Sequence, residues 1–301
     1  MTKPFIKHGK RALAGILAAL TALSLAGCND VEQTVTPDVT TTEPIVTTEP
    51  TVTTTEPTTT EPIVTEPPLP EPLEKYLSYY EENNDFVGWL AIPSLKKSNG
   101  DLWIDYAVLQ AEDNSKYLNT DFWGKKTEGG WIYADYKVPI TETSHADNIT
   151  FYGHSMKDGS FFRHVLDYQN KGVDFLKENY VINFDTRWEE NQYVVVACFL
   201  IGVYEHQDDL PLFEYFKCRN FETEEDFNYF YDNIMLRTYY NSEIECVYGD
   251  EFITLSTCAY TFSDSRFVVV ARKVREGEDI SGYADTYTKN RNKHMPAITK
   301  D

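Results

Sequence analysis

Cysteine and arginine occur in this chain at the ends of adjacent β-prone segments, where they could form a nucleophilic site. Cys258 ends one segment, and Arg266 opens the next after seven intervening residues. If the two segments pair as a hairpin, both residues lie at the same end, with Cα atoms about 4.5–5.5 Å apart. A guanidinium beside a sulfur favours the thiolate and offers paired donors to a developing oxyanion. Arg272 is the rival arginine, but it would stand about 20 Å further along the strand, so Arg266 is preferred.

A histidine at the end of another short apolar segment could supply acid–base catalysis. His154 follows the β-prone residues 148–153, so a sheet would hold its backbone while its side chain faces a groove. His164 is the rival among the six histidines of the chain. A single histidine at a strand end is more often structural than catalytic, so its position alone makes His154 a candidate and does not place it beside Cys258.

Short β-prone segments must position these residues. Seven of them can be read from the sequence, at 86–92, 102–110, 131–135, 148–153, 193–204, 251–258 and 266–274. Residues 74–84 and 223–238 have helical character, and Thr223 is a suitable N-cap with Asp226 three residues later. Seven or eight short strands with two or three inserted helices predict a β-barrel or sandwich of mixed class.

The N-terminal residues 1–28 have the pattern of a targeting segment. A basic start precedes the apolar residues 12–26, which as a helix would span about 22 Å, less than the roughly 30 Å of bilayer hydrocarbon. A secretory signal peptide is therefore favoured over a membrane-spanning helix. The run ends in Leu-Ala-Gly-Cys, which resembles the lipobox of bacterial lipoproteins and implies lipid attachment at Cys28. The alternative is an uncleaved signal anchor that contains a cysteine.

Composition divides the rest of the chain into three parts. Residues 29–73 repeat Thr, Glu and Pro, so they are predicted to be a disordered spacer. Residues 74–278 form the predicted catalytic domain. Residues 279–301 are predicted to be a polar C-terminal tail on the surface.

Charge and cysteine content exclude several classes of function. The formal net charge is −21, which disfavours contacts with a phosphate backbone, so no nucleic-acid partner is expected. No CxxC or HExxH pattern occurs, and neither a metal nor another cofactor is expected. If Cys28 is lipidated and Cys258 is free, Cys198, Cys218 and Cys246 can form at most one disulfide.

Several motifs resemble those of one enzyme family. Residues 254–258, Thr-Leu-Ser-Thr-Cys, resemble the TLxTC signature of the sortases. Residues 152–154, Tyr-Gly-His, are similar to the histidine segment of that family, and Arg266 stands where it has its catalytic arginine. Residues 85–93 and 153–161 resemble class B members in particular.

The resemblance extends over about residues 74–275. It implies a mainly β fold, an eight-stranded sortase-type barrel with an N-terminal helix and a helix before the penultimate strand. It also implies a transpeptidase that cleaves a C-terminal sorting motif of secreted proteins through a thioacyl enzyme. A peptidoglycan-precursor or pilin amine would then accept the acyl group.

The same resemblance assigns roles to individual residues. Cys258 would be the nucleophile, His154 would protonate the leaving amine and deprotonate the incoming one, and Arg266 would hold substrate and oxyanion. Ser256 and Thr257 would line the substrate groove. The enzyme would work on the extracytoplasmic face of the membrane, held there by a lipid or signal anchor.

Two features depart from the family pattern. Ala259 and Tyr260 follow the cysteine, where many class B members have an acidic residue, and sortases usually keep a signal anchor rather than a lipobox. Two other functions stay open on sequence grounds. One is a cysteine peptidase that releases its acyl group to water, and the other is a non-catalytic surface lipoprotein that binds peptides.

Overall fold

The structure, a computed structural model, describes residues 68–299. The predicted targeting segment and nearly all of the predicted spacer lie outside the described residues. The described part contains five α-helices: α1 (Glu74–Glu82), α2 (Asp167–Asn170), α3 (Val173–Glu178), α4 (Glu224–Arg237) and α5 (Tyr283–Thr286). Its strands are β1 (Phe86–Ala91), β2 (Asp105–Leu109), β3 (Tyr133–Ala134), β4 (Asn148–Tyr152), β5 (Val181–Thr186), β6 (Gln192–Gly202), β7 (Tyr240–Asn241), β8 (Phe252–Ala259), β9 (Ser265–Lys273) and β10 (Thr288–Lys289).

Eight of these strands close into a barrel in the order β1-β2-β3-β4-β8-β9-β6-β5. The pairs β2–β3 and β4–β8 are parallel, and the other neighbours are antiparallel. The helix α1 precedes the barrel, and α4 comes before its penultimate strand, β8. The fold class predicted from the sequence is therefore confirmed.

The core is densest along β6 and β9, which are buried on both faces. Residues 193–202 of β6 and 267–272 of β9 are buried without alternation, the pattern expected of a strand that is covered on each side. Helix α4 supplies part of this cover through the buried side chains of Phe227, Phe230 and Ile234. These strands therefore form a stable base for residues at their ends.

Local sequence explains where α4 begins and how α1 packs on the barrel. Thr223 accepts a hydrogen bond from the backbone N–H of Asp226 (3.2 Å), whose carboxylate accepts one from the N–H of Thr223 (2.9 Å). This capping box fixes the start of α4 with Asp in place of Glu or Gln. In α1, Tyr76 is buried and donates to Asp185 (2.6 Å), which ties the helix to the barrel.

In the described residues no helix has the length and apolar character of a membrane span.

One barrel strand was not predicted. Strand β5 alternates between half-buried and buried residues, with Ile182, Phe184 and Thr186 on the buried side. This period of two is the signal that a half-buried strand leaves in a sequence, and Asn183 and Asp185 on the other face hide it in a simple count of apolar residues.

The C-terminal residues differ from the surface tail that we expected. Tyr287 is buried, with 2% of its surface exposed, and β10 pairs with β7. His294 bonds to Asp208 at 2.7 Å. The segment is polar in composition, but one aromatic side chain and backbone pairing suffice to fix it against the barrel.

Candidate active site

The predicted hairpin between β8 and β9 is confirmed, and it makes Cys258 and Arg266 direct partners. Residues paired in this way have Cα atoms about 4.5–5.5 Å apart and project to the same face of the sheet. The loop between them, residues 260–264, is short enough to keep both at the barrel rim. Cys258 and Arg266 are each half-buried, so both can meet a substrate.

His154 reaches the same place from the other side of β8. Strand β4 runs parallel to β8 with Tyr152 beside Ser256, and the N–H of Gly153 donates to the Ser256 carbonyl at 3.3 Å. Two residues further along each of the two strands, this register places His154 level with Cys258. Neighbouring strands lie about 4.8 Å apart. The cysteine is therefore flanked by the histidine segment on one side and by the arginine on the other.

The strand ends that carry His154, Cys258 and Arg266 form a row at the rim of the barrel. A groove of about 460 Å³ opens beside this row, and Tyr152 and Arg266 line it. Its other charged residues are Lys137, Lys217, Arg219, Asp135 and Glu214. Four cations thus face two carboxylates, although the chain as a whole carries a net charge of −21. The charged lining of the groove is therefore mainly cationic.

Ser256 and Thr257 lie beneath the groove and do not expose side chains to it. Their exposed fractions are 3% and 2%. The hydroxyl of Ser256 shares a hydrogen bond of 2.7 Å with Tyr215, and that of Thr257 donates to the Gly153 carbonyl at 2.7 Å. The structure therefore differs from the expectation that both would line the groove, because their side chains stabilise the strand that carries Cys258.

Tyr215 connects these buried hydroxyl groups to Cys258 and Arg266. Burial raises the pKa of its phenol, while the hydrogen bond with Ser256 and the charge of Arg266 oppose the rise. Cys258 also contributes to the electrostatic environment of the phenol. The tyrosine therefore stays protonated at neutral pH and lies within electrostatic reach of both the sulfur and the guanidinium.

A buried carboxylate supports the opposite wall of the groove. Asp135 is 1% exposed and accepts hydrogen bonds from Tyr152 and Asn114, both at 3.0 Å. The guanidinium of Arg219 lies 3.5 Å from its other oxygen. Burial, followed by the charge of Asp135, raises the pKa of Tyr152. This network fixes the end of β4 immediately before His154.

The two rival residues have structural partners elsewhere. Arg272 is fully buried near the opposite end of β9 and pairs with Glu278 through both carboxylate oxygens. His164 contacts Asp167 at 2.7 Å, and its ring packs on Trp103 with centroids 4.3 Å apart. Neither belongs to the row formed by the strand ends.

The described cysteines other than Cys258 are free but poorly suited to nucleophilic chemistry. Burial raises the pKa of Cys218 to about 11 and that of Cys246 to about 12. Cys198 is fully buried, and its pKa is raised well above the ordinary range. The proposed lipidation site, Cys28, lies outside the described residues.

Three contributors to the site were not predicted: Tyr215, Asp135 and the backbone carbonyl of Leu118. The carbonyl accepts a hydrogen bond from Nε2 of His154 at 2.9 Å. Asp135 could have been suspected, because it is an acidic residue at the end of an apolar segment. A backbone acceptor leaves no signal in the residue types.

Comparison with known proteins agrees with this geometry. No protein-family model matches the sequence. The chain is 28% identical over 195 residues to sortase B of Staphylococcus aureus, which covers 64% of this chain and 72% of that protein. It is 32% identical over 176 residues to sortase B of Listeria monocytogenes, covering 58% of this chain and 63% of the relative, which is less than two thirds of that relative's length.

Solved structures give the same relationship. A Staphylococcus aureus sortase B–substrate complex is similar with a TM-score of 0.55 and 26% identity, over 67% of this chain and 86% of that one. The sequence relatives, the closed eight-stranded barrel and the order of the histidine, cysteine and arginine along it point to one family. The chain is similar in sequence and in fold to the class B sortases, a family of cysteine transpeptidases.

Proposed function

We propose that Cys258, His154 and Arg266 carry out transpeptidation of a C-terminal sorting motif on secreted proteins. The observation that carries this proposal is the row of strand ends, in which β8 presents Cys258 between the exit of β4 and the start of β9. The proposed nucleophile then has an acid–base group on one neighbouring strand and a fixed cation on the other, each about one strand spacing away.

Cys258 attacks the carbonyl carbon of the scissile peptide bond. The bond between sulfur and carbon forms, and the carbonyl oxygen becomes an oxyanion. Arg266 donates one hydrogen bond to the Ser265 carbonyl (3.1 Å). A guanidinium has five N–H groups. Most of its donors are thus left for the oxyanion and the peptide backbone, where fixed donors stabilise developing charge.

His154 moves the protons of both half-reactions. It gives a proton to the leaving amine as the carbon–nitrogen bond breaks, which yields the thioacyl enzyme. It takes a proton from the incoming amine as the new amide forms and the thiolate leaves. General acid–base catalysis of this kind contributes about 10²–10⁴-fold.

The groove beside Arg266 is the proposed site for the sorting motif. Its volume of about 460 Å³ suits a short extended peptide, and Tyr152 and Arg266 at its wall connect it to the nucleophile. One of the similar solved structures is a sortase B–substrate complex from Staphylococcus aureus, which supports a substrate-binding role for this chain. The acceptor is proposed to be the amine of a peptidoglycan precursor or a pilin.

Sortases act on the extracytoplasmic side of the membrane, and we propose the same location for this chain. The lipobox resemblance at residues 25–28 supports a lipid anchor at Cys28, and the Thr- and Pro-rich residues 29–73 would serve as a spacer between that anchor and the barrel.

Single-turnover acylation tests the proposal. A fluorescent sorting-motif peptide is mixed with excess enzyme, and the covalent adduct is measured by mass spectrometry. We expect an adduct on Cys258 in the wild type, none in Cys258→Ala, and a rate lower by about 10²–10⁴-fold in His154→Ala. Cys246→Ala and His206→Ala are matched controls that should acylate normally. An adduct that persists in Cys258→Ala would refute the proposal.

The second half-reaction needs its own measurement. With a candidate acceptor amine such as triglycine present, the product should be the amide rather than the free acid. If added amine does not change the product, the chain is a peptidase and not a transpeptidase.

A further inference from the structure

The imidazole of His154 is held by the backbone of another loop. Its Nε2 lies 2.9 Å from the carbonyl oxygen of Leu118. Because a carbonyl oxygen can only accept, Nε2 must carry the hydrogen and donate it. In the neutral ring the lone pair is then on Nδ1, and this nitrogen is the one left to exchange protons with a substrate.

The position of that carbonyl depends on a close backbone contact. Leu118 ends a 3₁₀ turn (Lys116–Leu118), and the N–H of Trp131 donates to the carbonyl of Tyr117 at 2.9 Å. Gly130 packs against the same two carbonyls with a φ of +54°. A β-carbon at Gly130 would lie 2.2 Å from the Tyr117 oxygen and 2.7 Å from the Leu118 oxygen. Only glycine at position 130 allows the Leu118 carbonyl to keep the position in which it accepts the hydrogen bond from His154.

The backbone of His154 is fixed separately. Its carbonyl accepts a hydrogen bond from the N–H of Phe162 at 2.9 Å, and the neighbouring Gly153 is tied to Thr257 and Ser256 of β8. These bonds place the Cα atom of His154 but do not choose the orientation of its ring. The Leu118 carbonyl makes that choice.

We propose that Gly130 is a positioning residue for His154, and that Nδ1 of His154 is the atom that transfers protons. This inference rests on the proposed function. In the first step the imidazolium gives its Nδ1 proton to the leaving amine nitrogen while the carbon–nitrogen bond breaks. In the second, Nδ1 takes one proton from the attacking amine while the carbon–sulfur bond breaks and Cys258 leaves as thiolate. The hydrogen bond from Nε2–H to the Leu118 carbonyl is kept in both steps.

A matched pair of glycine substitutions separates this role from general backbone strain. Gly124 lies in the same loop with a φ of +78°, but a β-carbon there would have no atom within 4 Å. Gly124→Ala therefore carries the positive-φ strain of an alanine without the collision. Gly130→Ala carries both.

Two measurements test this role: the tautomer of His154 by NMR, and the acylation rate compared with the peptide concentration at half-saturation. Full-length protein is labelled with ¹⁵N-histidine, and His154 is assigned by comparison with His154→Gln. In the wild type and in Gly124→Ala we expect an Nε2–H tautomer with a slowly exchanging proton. In Gly130→Ala that protection should be lost. Single-turnover acylation should slow by about 10²-fold, while the peptide concentration at half-saturation changes little.

Two results would overturn the proposal. One is a wild-type His154 with its hydrogen on Nδ1, which decides the matter even if Gly130→Ala does not fold. The other is a folded Gly130→Ala with the wild-type spectrum and acylation rate. Acylation of the wild type tests the proposed function independently, so an enzyme that acylates with an Nδ1–H histidine would refute the positioning role alone.

Discussion

The hydroxyl groups of Tyr215 and Ser256 lie 2.7 Å apart, buried directly beneath the strand that carries Cys258. Tyr215 belongs to the long connection between β6 and α4, and Ser256 belongs to β8. The bond therefore joins the groove wall to the floor of the proposed active site.

Removing one partner of this bond should destabilise the protein more than removing both. Tyr215→Phe leaves the Ser256 hydroxyl buried without a partner, which costs about 1–3 kcal/mol. In the double variant with Ser256→Ala, neither polar group remains unpaired, so part of that loss should be recovered. Urea unfolding of the two single variants and the double variant measures the coupling. Strictly additive losses would show that the bond contributes nothing.

The arginine beside the nucleophile should not be replaceable by lysine. Arg266→Lys keeps the charge opposite Cys258 but loses the planar fork of donors. We expect single-turnover acylation to fall by about 10²–10³-fold, as for loss of an oxyanion donor. Arg291→Lys, at an exposed position, is the matched control. A wild-type rate for Arg266→Lys would remove the proposed oxyanion role.

The ion pair between the buried Arg272 and the half-buried Glu278 should make stability depend on acid pH. Its hydrogen bonds from Arg272 lower the pKa of Glu278 from 4.5 to about 2. The unfolded chain therefore binds more protons than the folded one between these values. This stabilisation is present above pH 4.5 and is lost as the pH falls towards 2.

Variants at position 278 isolate this contribution. Glu278→Gln should lower the free energy of unfolding at pH 7 and weaken its dependence on pH between about 4.5 and 2. Glu276→Gln, at an exposed neighbour, should keep the wild-type profile. Urea unfolding at a series of pH values gives both curves. Parallel profiles for the wild type and Glu278→Gln would contradict the assignment.

Selective alkylation should report the difference between the thiols. Burial holds the pKa of Cys218 at about 11 and that of Cys246 at about 12, and the thiolate is the reactive form. In a Cys28→Ser background at pH 7, iodoacetamide should modify Cys258 first, as read by peptide mass mapping. Faster labelling of Cys218 or Cys246 would mean that their burial is not maintained in solution.

The proposed lipid anchor has a direct test. If Cys28 is the attachment site, the wild type should incorporate radiolabelled fatty acid in a lipoprotein-processing host, and Cys28→Ser should not. Cys246→Ser is a matched cysteine control. Finding residues 1–27 intact on the mature wild-type protein would favour an uncleaved signal anchor instead.

Local relationships were predictable from the sequence, and non-local ones were not. The pairing of Cys258 with Arg266 follows from two β-prone segments and a short connection. The parallel pairing of β4 with β8 has no such local sign, so the resemblance to a family was needed to bring His154 to the same place. The burial of Ser256 depends on Tyr215, which lies in a connection with little regular structure.

The parallel pairing of β4 with β8 links catalysis to folding. Gly153 and Thr257, joined by a hydrogen bond beside the site, are 104 positions apart in the chain. Contacts of such large sequence separation carry a high loop-closure entropy and form only when most of the native surface is already buried. No locally folded fragment can bring His154 to Cys258. The proposed transpeptidase activity is therefore a measure of barrel closure, and a chain that is still unfolded carries Cys258 without the residues proposed to act with it.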